Sequence, residues 1–498
     1  MRVSAGRAGE SLPAITAAKV SEPDLELIRA IAAGRAVSIE PGLLASVQER
    51  CDLARQALTD RRPVYGVNTG MGALHGIRLT SEQQLAHQRN LLLARATGGP
   101  PWLDQDEARA VIAVRLLTFL TGDAGVSPAL CERLAEMLNS GIVPAVPRGG
   151  MGAAGEIMQL AHAFGPLAGI GQVLGTDGGT QPASEALRSH GLAAYTLGQK
   201  EGVALIQGVP GTTGLCVLRL AEAARLTGLM ETAAALSIAA AGASRDPYHP
   251  ACGRGDDVLG AVLARISAIA GDDPPARSLQ APVSFRVAGQ VVAHLHRSAG
   301  LLEAAVRRAL TGVTDSPAFT GDRFIGTAGF YGLDLAAHCD QLTTAFCHAA
   351  EVAAARVHRL MDPAVTGLPA QLAREPGLQA GLSPVHKRAA GEVHAMRLLA
   401  VATPVGLVET SGGQEDVQSF AWEAAGKLRT ALRHARAVTA CELLTAYQAS
   451  QLSEYRPPPG CEPALTWLSE VIGPINADRP FGADIERLIH AASPCDTS

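Results

Sequence analysis

The chain has 498 residues, of which 47% are hydrophobic and 18% are charged, so it can bury a large core and is not a disordered protein. Its formal net charge is -5 and it has no long basic run, which argues against nucleic acid as the main partner. A chain this large, apolar and poor in charge has more surface to hide than a monomer hides comfortably, which favours a stable homo-oligomer.

The cysteines and the apolar windows indicate the compartment. Nine cysteines are spread along the chain without a Cys-x-x-Cys pair, which predicts free thiols in a reducing environment. The first twenty residues lack a continuous apolar core of signal-peptide length, and the most apolar windows are broken by charge or proline before they reach membrane-spanning length. We therefore expect a cytoplasmic protein without a membrane partner.

Helical patterns dominate wherever the sequence gives a clear signal. Residues 81–95 begin with a possible capping box, Ser81 with Gln84. In the next clear segment, Ser127 can cap a helix whose apolar residues recur at helical spacing, and Gly141 can end that helix in the left-handed conformation.

Residues 417–452 contain no proline and one glycine, which predicts a helix of about 50 Å. Such a rod needs partners along its whole length, as in a large helical bundle. Strand-like runs are short and do not alternate with helices, so we predict a mainly α fold. The expected division is an N-terminal tail at 1–20, an active-site domain at 21–210, and a central and C-terminal helical bundle at 211–498.

Two stretches, residues 64–76 and 148–155, are rich in glycine and predict ordered loops, because glycine lets the backbone approach a ligand closely. A third, turn-rich region at 277–290 joins helical segments. The second loop contains G-x-G-x-x-G, but Pro144 and Pro147 spoil the strand that should precede a dinucleotide site. We therefore expect no nucleotide there.

One arrangement superficially resembles a metal site. The pairs His338-Cys339 and Cys347-His348 supply four metal-binding residue types. On a helix, however, Cys339 and Cys347 are separated by about 12 Å of rise, which is too far for one ion. We expect no metal.

Several short motifs together carry a resemblance that no single loop carries. Residues 64–70 are Val-Tyr-Gly-Val-Asn-Thr-Gly, and five further motifs follow in order: Gln-Arg-Asn-Leu-Leu-Leu at 88–93, Lys-Glu-Gly-Val-Ala-Leu-Ile at 200–206, Leu-Met-Asp-Pro at 360–363, Gly-Leu-Pro at 367–369 and Gln-Glu-Asp at 414–416. From residue 65 to 419 the chain resembles the histidine and phenylalanine ammonia-lyase family. The resemblance implies an ammonia-lyase/aspartase-like large helical bundle, assembled as a homotetramer whose active sites take residues from neighbouring subunits.

The chemistry of that family depends on an Ala-Ser-Gly tripeptide that cyclises and loses water to form a methylidene-imidazolone electrophile, MIO. The matching residues here are Ala153, Ala154 and Gly155, and alanine has no hydroxyl group to eliminate. We therefore expect no MIO cofactor. Other departures from the family pattern cluster around the same electrophile: Arg95 for histidine, Gln207 for asparagine, Val283 for tyrosine and Gly329 for asparagine.

Other site residues of the family are kept. By resemblance, Tyr65 is the catalytic base, and Arg286 clamps the substrate carboxylate, to which guanidinium can donate two hydrogen bonds. The resemblance also gives an orienting role to Gln280 and a role as base or ion-pair partner to Glu415. Arg95 departs from the family, and its guanidinium could be a second anion anchor or help to lower the pKa of Tyr65. The resemblance extends the substrate-binding set to Gln207, Phe330 and Asn68.

The residues alone leave structural roles open for several of these side chains. Arg286 could form a structural salt bridge, Tyr65 could be a buried structural tyrosine, and Arg95 could lie on a solvated helix face. Only the positions of these side chains in the folded chain can favour one role over the other.

Three functional hypotheses follow. The first is a MIO-independent lyase-like enzyme that performs elimination, addition or isomerisation on a small carboxylate-bearing substrate, with Tyr65 as base. The second is a catalytically inactive family member that binds a carboxylate or an active paralogue. The third is an ordinary aromatic amino acid ammonia-lyase in which Ala154 is a single replacement, and the accompanying changes argue against it.

Overall fold

A computed structural model describes residues 14–58, 62–150, 152–175, 178–271, 276–406 and 408–491. Most of the N-terminal tail expected at 1–20 lies outside these residues, as does Met151 of the second glycine-rich loop. The mainly α fold predicted from the sequence is confirmed, because helices account for most of the described chain.

The α-helices vary from single turns to rods of 32 residues. Those in the first half of the chain are α1 Ala17–Ser21, α2 Leu25–Ala32, α3 Pro41–Ala57, α4 Ser81–Arg95, α5 Gln105–Phe119, α6 Pro128–Ser140, α7 Ile157–Phe164, α8 Ala183–Ser189, α9 Glu201–Ile206 and α10 Pro210–Ala241. Those in the second half are α11 Asp257–Ala270, α12 Val283–Arg286, α13 Ala288–Thr311, α14 Leu333–Leu360, α15 Pro363–Thr366, α16 Ser383–Arg397, α17 Ala421–Leu452, α18 Glu462–Ile472 and α19 Phe481–Ala491.

The strands form three two-stranded ribbons in the described part of the chain. Strands β1 (Ala14–Ile15) and β2 (Ser38–Ile39) pair in parallel, and the other two ribbons are antiparallel. Those ribbons pair β3 with β4 and β5 with β6, with bounds Gln172–Leu174, Thr180–Pro182, Ala318–Phe319 and Phe324–Ile325.

Two compact units divide the chain, and each is discontinuous in sequence. The first comprises Met1–Arg219, Leu302–Cys339 and Ala402–Gly426, and the second comprises Leu220–Leu301, Asp340–Val401 and Lys427–Ser498. Four long helices contribute residues to both units: α10, α13, α14 and α17.

Local sequence signals predicted the boundaries of α6 correctly and the start of α4 incorrectly. Ser127 caps α6 as predicted by accepting a hydrogen bond from the Leu130 N–H, and Gly141 ends the helix at φ +77°. The capping box of α4, however, is one residue earlier than predicted, and uses Thr80 with Gln83. Ser81 was predicted as the cap because serine is the better cap by residue type. The prediction was wrong because Ser81 is already the first helical residue, so the preceding Thr80 is the cap.

The long C-terminal helix begins four residues later than predicted, at Ala421. The preceding Phe420 has a positive φ of 50°, a conformation that interrupts a helix. Residues 277–290 also differ from the prediction of a turn-rich connection, because α12 and the start of α13 occupy their second half.

Burial explains the most apolar helix and the thiols. The segment Glu201–Ala241 is long and apolar enough to cross a membrane, but 94% of its most apolar window is buried inside the protein, as in a core helix. All eight cysteines in the described residues are free, and seven of these are buried. Among those residues, no group of histidine, cysteine and acidic side chains could hold a metal ion.

Candidate active site

Helix α4 and the loop at 64–76 form one side of the candidate site in the first unit. Asn68 stabilises the loop, because its Oδ1 accepts from the Val64 N–H at 2.7 Å and its Nδ2 donates to the Arg62 carbonyl at 2.9 Å. Gln88 of α4 donates to the Gly66 carbonyl and accepts from the Val203 N–H, both at 3.0 Å. One buried amide therefore ties this loop to two helices.

Tyr65 is half-buried on this loop. Its hydroxyl oxygen accepts a hydrogen bond of 2.8 Å from the backbone N–H of Gly72. Gly72 has φ +59°, which favours glycine at this turn. The backbone of the loop thereby fixes the position of the Tyr65 hydroxyl oxygen. Because this oxygen acts as an acceptor in that bond, its own hydrogen can still be donated to another group.

The loop at 152–155 joins this site through Glu415. The Ala154 N–H donates to Oε2 of Glu415 at 3.2 Å, and the hydroxyl of Thr410 donates to the same oxygen at 2.9 Å. Phe330 lies against Gly155, since a Cβ atom at that glycine would lie 3.4 Å from the Phe330 carbonyl oxygen and 3.6 Å from its ring. Glu415 and Phe330 therefore both adjoin this loop.

Arg95, the last residue of α4, shares this region. Burial lowers the pKa of its guanidinium, and the nearby Tyr65 and Glu415 act in the opposite direction. The first unit therefore brings four of the sequence-predicted positions into one electrostatic environment: Tyr65, Arg95, Ala154 and Glu415.

Glu156 is a buried acid that sequence reasoning missed. Its carboxylate accepts from the backbone N–H groups of Gly211 and Thr212, each at 2.8 Å, and so caps the N-terminus of α10. Burial raises its pKa to about 7, although these bonds and Arg115 oppose the shift. Its position directly after Gly155 was the available signal, but its partner lies more than fifty residues further along the chain.

The remaining predicted residues lie elsewhere or show another role. Gln207 is buried, and its carbonyl accepts from the Arg115 guanidinium. Gln280 and Arg286 belong to the second unit, where Gln280 is exposed and Arg286 is the last residue of α12. The Nε atom of Arg286 is buried and, within the described residues, has no hydrogen-bond partner.

Comparison with known proteins identifies the family. The family model for aromatic amino acid lyases matches residues 24–470. The chain belongs to the aromatic amino acid lyase family. A histidine ammonia-lyase from Symbiobacterium thermophilum is 31% identical over 474 residues, which cover 93% of each chain.

Solved structures of lyase-family proteins share the helical fold. A tyrosine aminomutase from Streptomyces globisporus is 26% identical, with a TM-score of 0.89 and coverage of 97% of both chains. An ergothioneine-degrading enzyme, ergothionase, from Treponema denticola has a TM-score of 0.90 at 23% identity. That comparison covers 96% of this chain and 98% of the ergothionase chain.

The loop at 153–155 does not fit the electrophile of the aromatic amino acid lyases. Ala153, Ala154 and Gly155 contain no hydroxyl group, so this tripeptide cannot form MIO by loss of water from a serine side chain. The backbone around Gly329 leaves no room for a side chain, because a Cβ atom there would lie 2.2 Å from the Val313 carbonyl oxygen. The family's asparagine could not occupy that position without a shift of the backbone.

Proposed function

We propose that this protein is a lyase that works without MIO on a small carboxylate-bearing substrate. The observation that carries the proposal is the convergence of Tyr65, Arg95 and Glu415 around a loop whose central residue, Ala154, has no hydroxyl. We infer that the side chains for proton transfer and charge recognition are retained beside a loop that lacks the serine needed to form MIO.

In the proposed elimination, Tyr65 acts as the phenolate, having first lost its hydroxyl proton to solvent, and removes a proton from the carbon adjacent to the one that bears the leaving group. The electron pair of that C–H bond forms the C=C bond, and the leaving group departs with the electrons of its own bond to carbon. Arg286, contributed by a neighbouring subunit, holds the reacting carboxylate, and Gln280 and Phe330 orient the substrate. Glu415 faces the cationic leaving group.

Without an electrophile, ammonia is a poor leaving group, because an ammonium group can lose a proton and become an unactivated amine. A trialkylammonium group cannot lose its charge in this way and departs as a neutral tertiary amine. The Treponema denticola ergothionase is named for ergothioneine. Ergothioneine is a betaine that carries a trimethylammonium group on its α carbon. We therefore propose substrates with a leaving group better than ammonia, and a trialkylammonium group is the first choice.

The test is elimination by the purified full-length protein, followed by the ultraviolet growth of the conjugated acid. The substrates are phenylalanine and histidine, their 2-hydroxy analogues, and their N,N,N-trimethyl derivatives. We expect turnover of the trimethyl derivatives and very slow turnover of the parent amino acids.

Two tyrosine variants make the test specific. Tyr65→Phe removes the proposed base and should lower the rate by about 100-fold or more. Tyr195→Phe is the matched control, because Tyr195 contacts Ser127 and Glu201 and has no role in the proposed mechanism. Absence of turnover on the whole panel would favour the catalytically inactive family member. Full activity of Tyr65→Phe would exclude Tyr65 as the base.

The proposed setting is a homotetramer in the cytoplasm, without a nucleic-acid or membrane partner. The odd number of widely spaced cysteines and the net charge of -5 support the compartment and the absence of nucleic acid. The kinship with tetrameric lyases implied by the sequence motifs supports the assembly.

A further inference from the structure

The position of Arg95 on α4 can be related to the Tyr65 loop through Gln88. Gln88, which anchors that loop through the Gly66 carbonyl, is seven residues before Arg95 on the same face of the helix. At 1.5 Å per residue, the two positions are separated by about 10 Å along the helix axis. This is roughly the length of an aromatic side chain with one further functional group.

Arg95 differs in burial from the other described arginines of the first unit that lack a side-chain partner, because it is half-buried, whereas Arg35, Arg89 and Arg188, for example, are exposed. In the residues that the structure describes, its guanidinium has neither a hydrogen bond nor an ion pair. Arg148, by contrast, pairs with Asp104 and Glu107, and Arg308 pairs with Asp334. A half-buried cation without a carboxylate is costly, unless a ligand supplies the charge.

The acid nearest to Arg95 in the site has other hydrogen bonds. Oε2 of Glu415 accepts from Ala154 and Thr410, and no ion pair joins Glu415 to Arg95 within the described chain. His87, two turns earlier on α4, has a buried Nε2 atom without a partner, and burial and Arg95 both lower its pKa. Within the described residues, therefore, no acceptor of the protein is hydrogen-bonded to the Arg95 guanidinium, although Glu415 and Tyr65 lie close enough to affect its pKa.

We infer that Arg95 binds a second acidic group of the substrate, a carboxylate or sulfonate carried by the substrate's side chain. This inference rests on the proposed function and narrows its substrate class to dianionic acids. Each substrate charge then has one counterpart: the reacting carboxylate has Arg286, the cationic leaving group has Glu415, and the side-chain anion has Arg95. Guanidinium suits this role because it donates two parallel hydrogen bonds to an oxyanion.

Binding of unreactive acids tests the inference without any turnover. The probes are 3-phenylpropanoate, with one carboxylate, and 3-(4-carboxyphenyl)propanoate, with two, titrated calorimetrically into the full-length protein at fixed ionic strength. We expect the dicarboxylate to bind at least tenfold more tightly than the monocarboxylate. Equal affinity, or no binding of either probe, would overturn the inference.

Substitutions on α4 then assign the preference to one side chain. Arg95→Met should abolish the preference, and Arg95→Lys should keep part of it, because lysine retains the charge but not the paired donors. Arg89→Met is the matched control, since Arg89 is exposed on the same helix, and it should keep the full preference. A preference that persists in Arg95→Met would also overturn the inference.

The two proposals can fail separately. The elimination panel is therefore extended with the N,N,N-trimethyl derivative of 4-carboxyphenylalanine, which carries the second acid. Dicarboxylate preference without turnover of any member of the extended panel would support the Arg95 site and contradict the proposed enzyme. Turnover without dicarboxylate preference would support the enzyme and overturn the Arg95 site. If Arg95 served only to tune Tyr65, Arg95→Met would change the pH dependence of the rate and leave the ratio of the two affinities unchanged.

Discussion

Residue 154 has a methyl group as its side chain and can offer the site no hydroxyl group. The backbone N–H of Ala154 donates to Glu415, so the loop contributes a backbone donor to the site but no hydroxyl group. Gly329 adds a second constraint, because any side chain there would meet the Val313 carbonyl oxygen. Both positions therefore restrict which side-chain groups this part of the first unit can offer.

Restoring the serine tests this view. We expect Ala154→Ser not to deaminate histidine or phenylalanine above the rate of the unmodified protein, because Arg95, Gln207 and Gly329 remain unsuited to that reaction. The measurement is ultraviolet detection of urocanate and cinnamate, together with a near-ultraviolet difference spectrum. Ala153→Ser is the control for a hydroxyl added nearby. Efficient deamination by Ala154→Ser would show that the protein is an ordinary ammonia-lyase with one replacement.

The residues of the candidate site were predictable to different degrees. Tyr65 and Glu415 were predicted from short motifs, and Arg95 from its departure from the family pattern; the structure places all three in one unit. Glu156 was missed because no local pattern shows that its carboxylate meets the start of α10. Roles that depend on packing between distant segments need the folded chain.

Local sequence signals predicted that the helices exist more accurately than they predicted the residues at which the helices begin and end. The capping serine and terminal glycine of α6 act within their own turns, so both ends were predicted correctly. The start of α17 depends on tertiary contacts: the Gln418 amide donates to the Val408 carbonyl, and the Ser419 hydroxyl donates to the Tyr331 carbonyl. Those bonds hold the chain outside the helix although its residue types permit helix.

The contact between α4 and α9 depends on Gly202. A Cβ atom at this position would lie 2.2 Å from the Gln88 carbonyl oxygen. We expect Gly202→Ala to lower the free energy of unfolding by about 1–3 kcal/mol, because the two helices must separate. The same displacement moves Gln88 away from the Gly66 carbonyl, so substrate turnover should fall as well.

Chemical denaturation of Gly202→Ala and of a matched variant measures this effect. In Gly228→Ala, the added Cβ meets no atom within 4 Å, and the site is exposed in α10. That variant should be more stable by up to about 1 kcal/mol, because alanine favours helix over glycine. Equal stability of the two variants would show that α4 and α9 have room to adjust.

The buried cap of α10 predicts a pH dependence. The pKa of Glu156 is about 7 in the folded chain, against an ordinary value of 4.5, so the folded state binds this proton more tightly. The resulting stabilisation is full below pH 4.5 and is lost as the pH rises through about 7. Compared with Glu156→Gln, the unmodified protein should therefore lose stability across this window, by an amount on the order of 3 kcal/mol.

Thermal unfolding of both proteins at pH 5, 6, 7 and 8, at one protein concentration, measures the difference. Taking the difference cancels the titration of other groups that the two proteins share. Glu185→Gln, at an exposed position of α8, is the control and should follow the unmodified protein. Parallel stability curves for Glu156→Gln and the unmodified protein would contradict a proton-linked role for this cap.

At the scale of the whole molecule, the single chain exposes several large apolar side chains to solvent. Leu279, Leu378 and Tyr455 are 94%, 80% and 74% exposed, and Leu398 and Val401 are both near 70%. Exposed apolar surface of this kind is typical of surfaces that associate. The low charged fraction of 18% points in the same direction.

The number of copies comes from the family resemblance, which implies a homotetramer. We expect a mass of about 206 kDa by light scattering for four chains of 51.4 kDa. The double variant Leu398→Asp/Val401→Asp should shift this mass towards smaller species, because burying two carboxylates without partners is unfavourable. Leu53→Asp, at a position only 39% exposed, is the control for a new charge elsewhere and should remain tetrameric. Since the proposed mechanism takes Arg286 from a neighbouring subunit, smaller species should also lose turnover. A monomer with full activity would contradict both the assembly and the shared site.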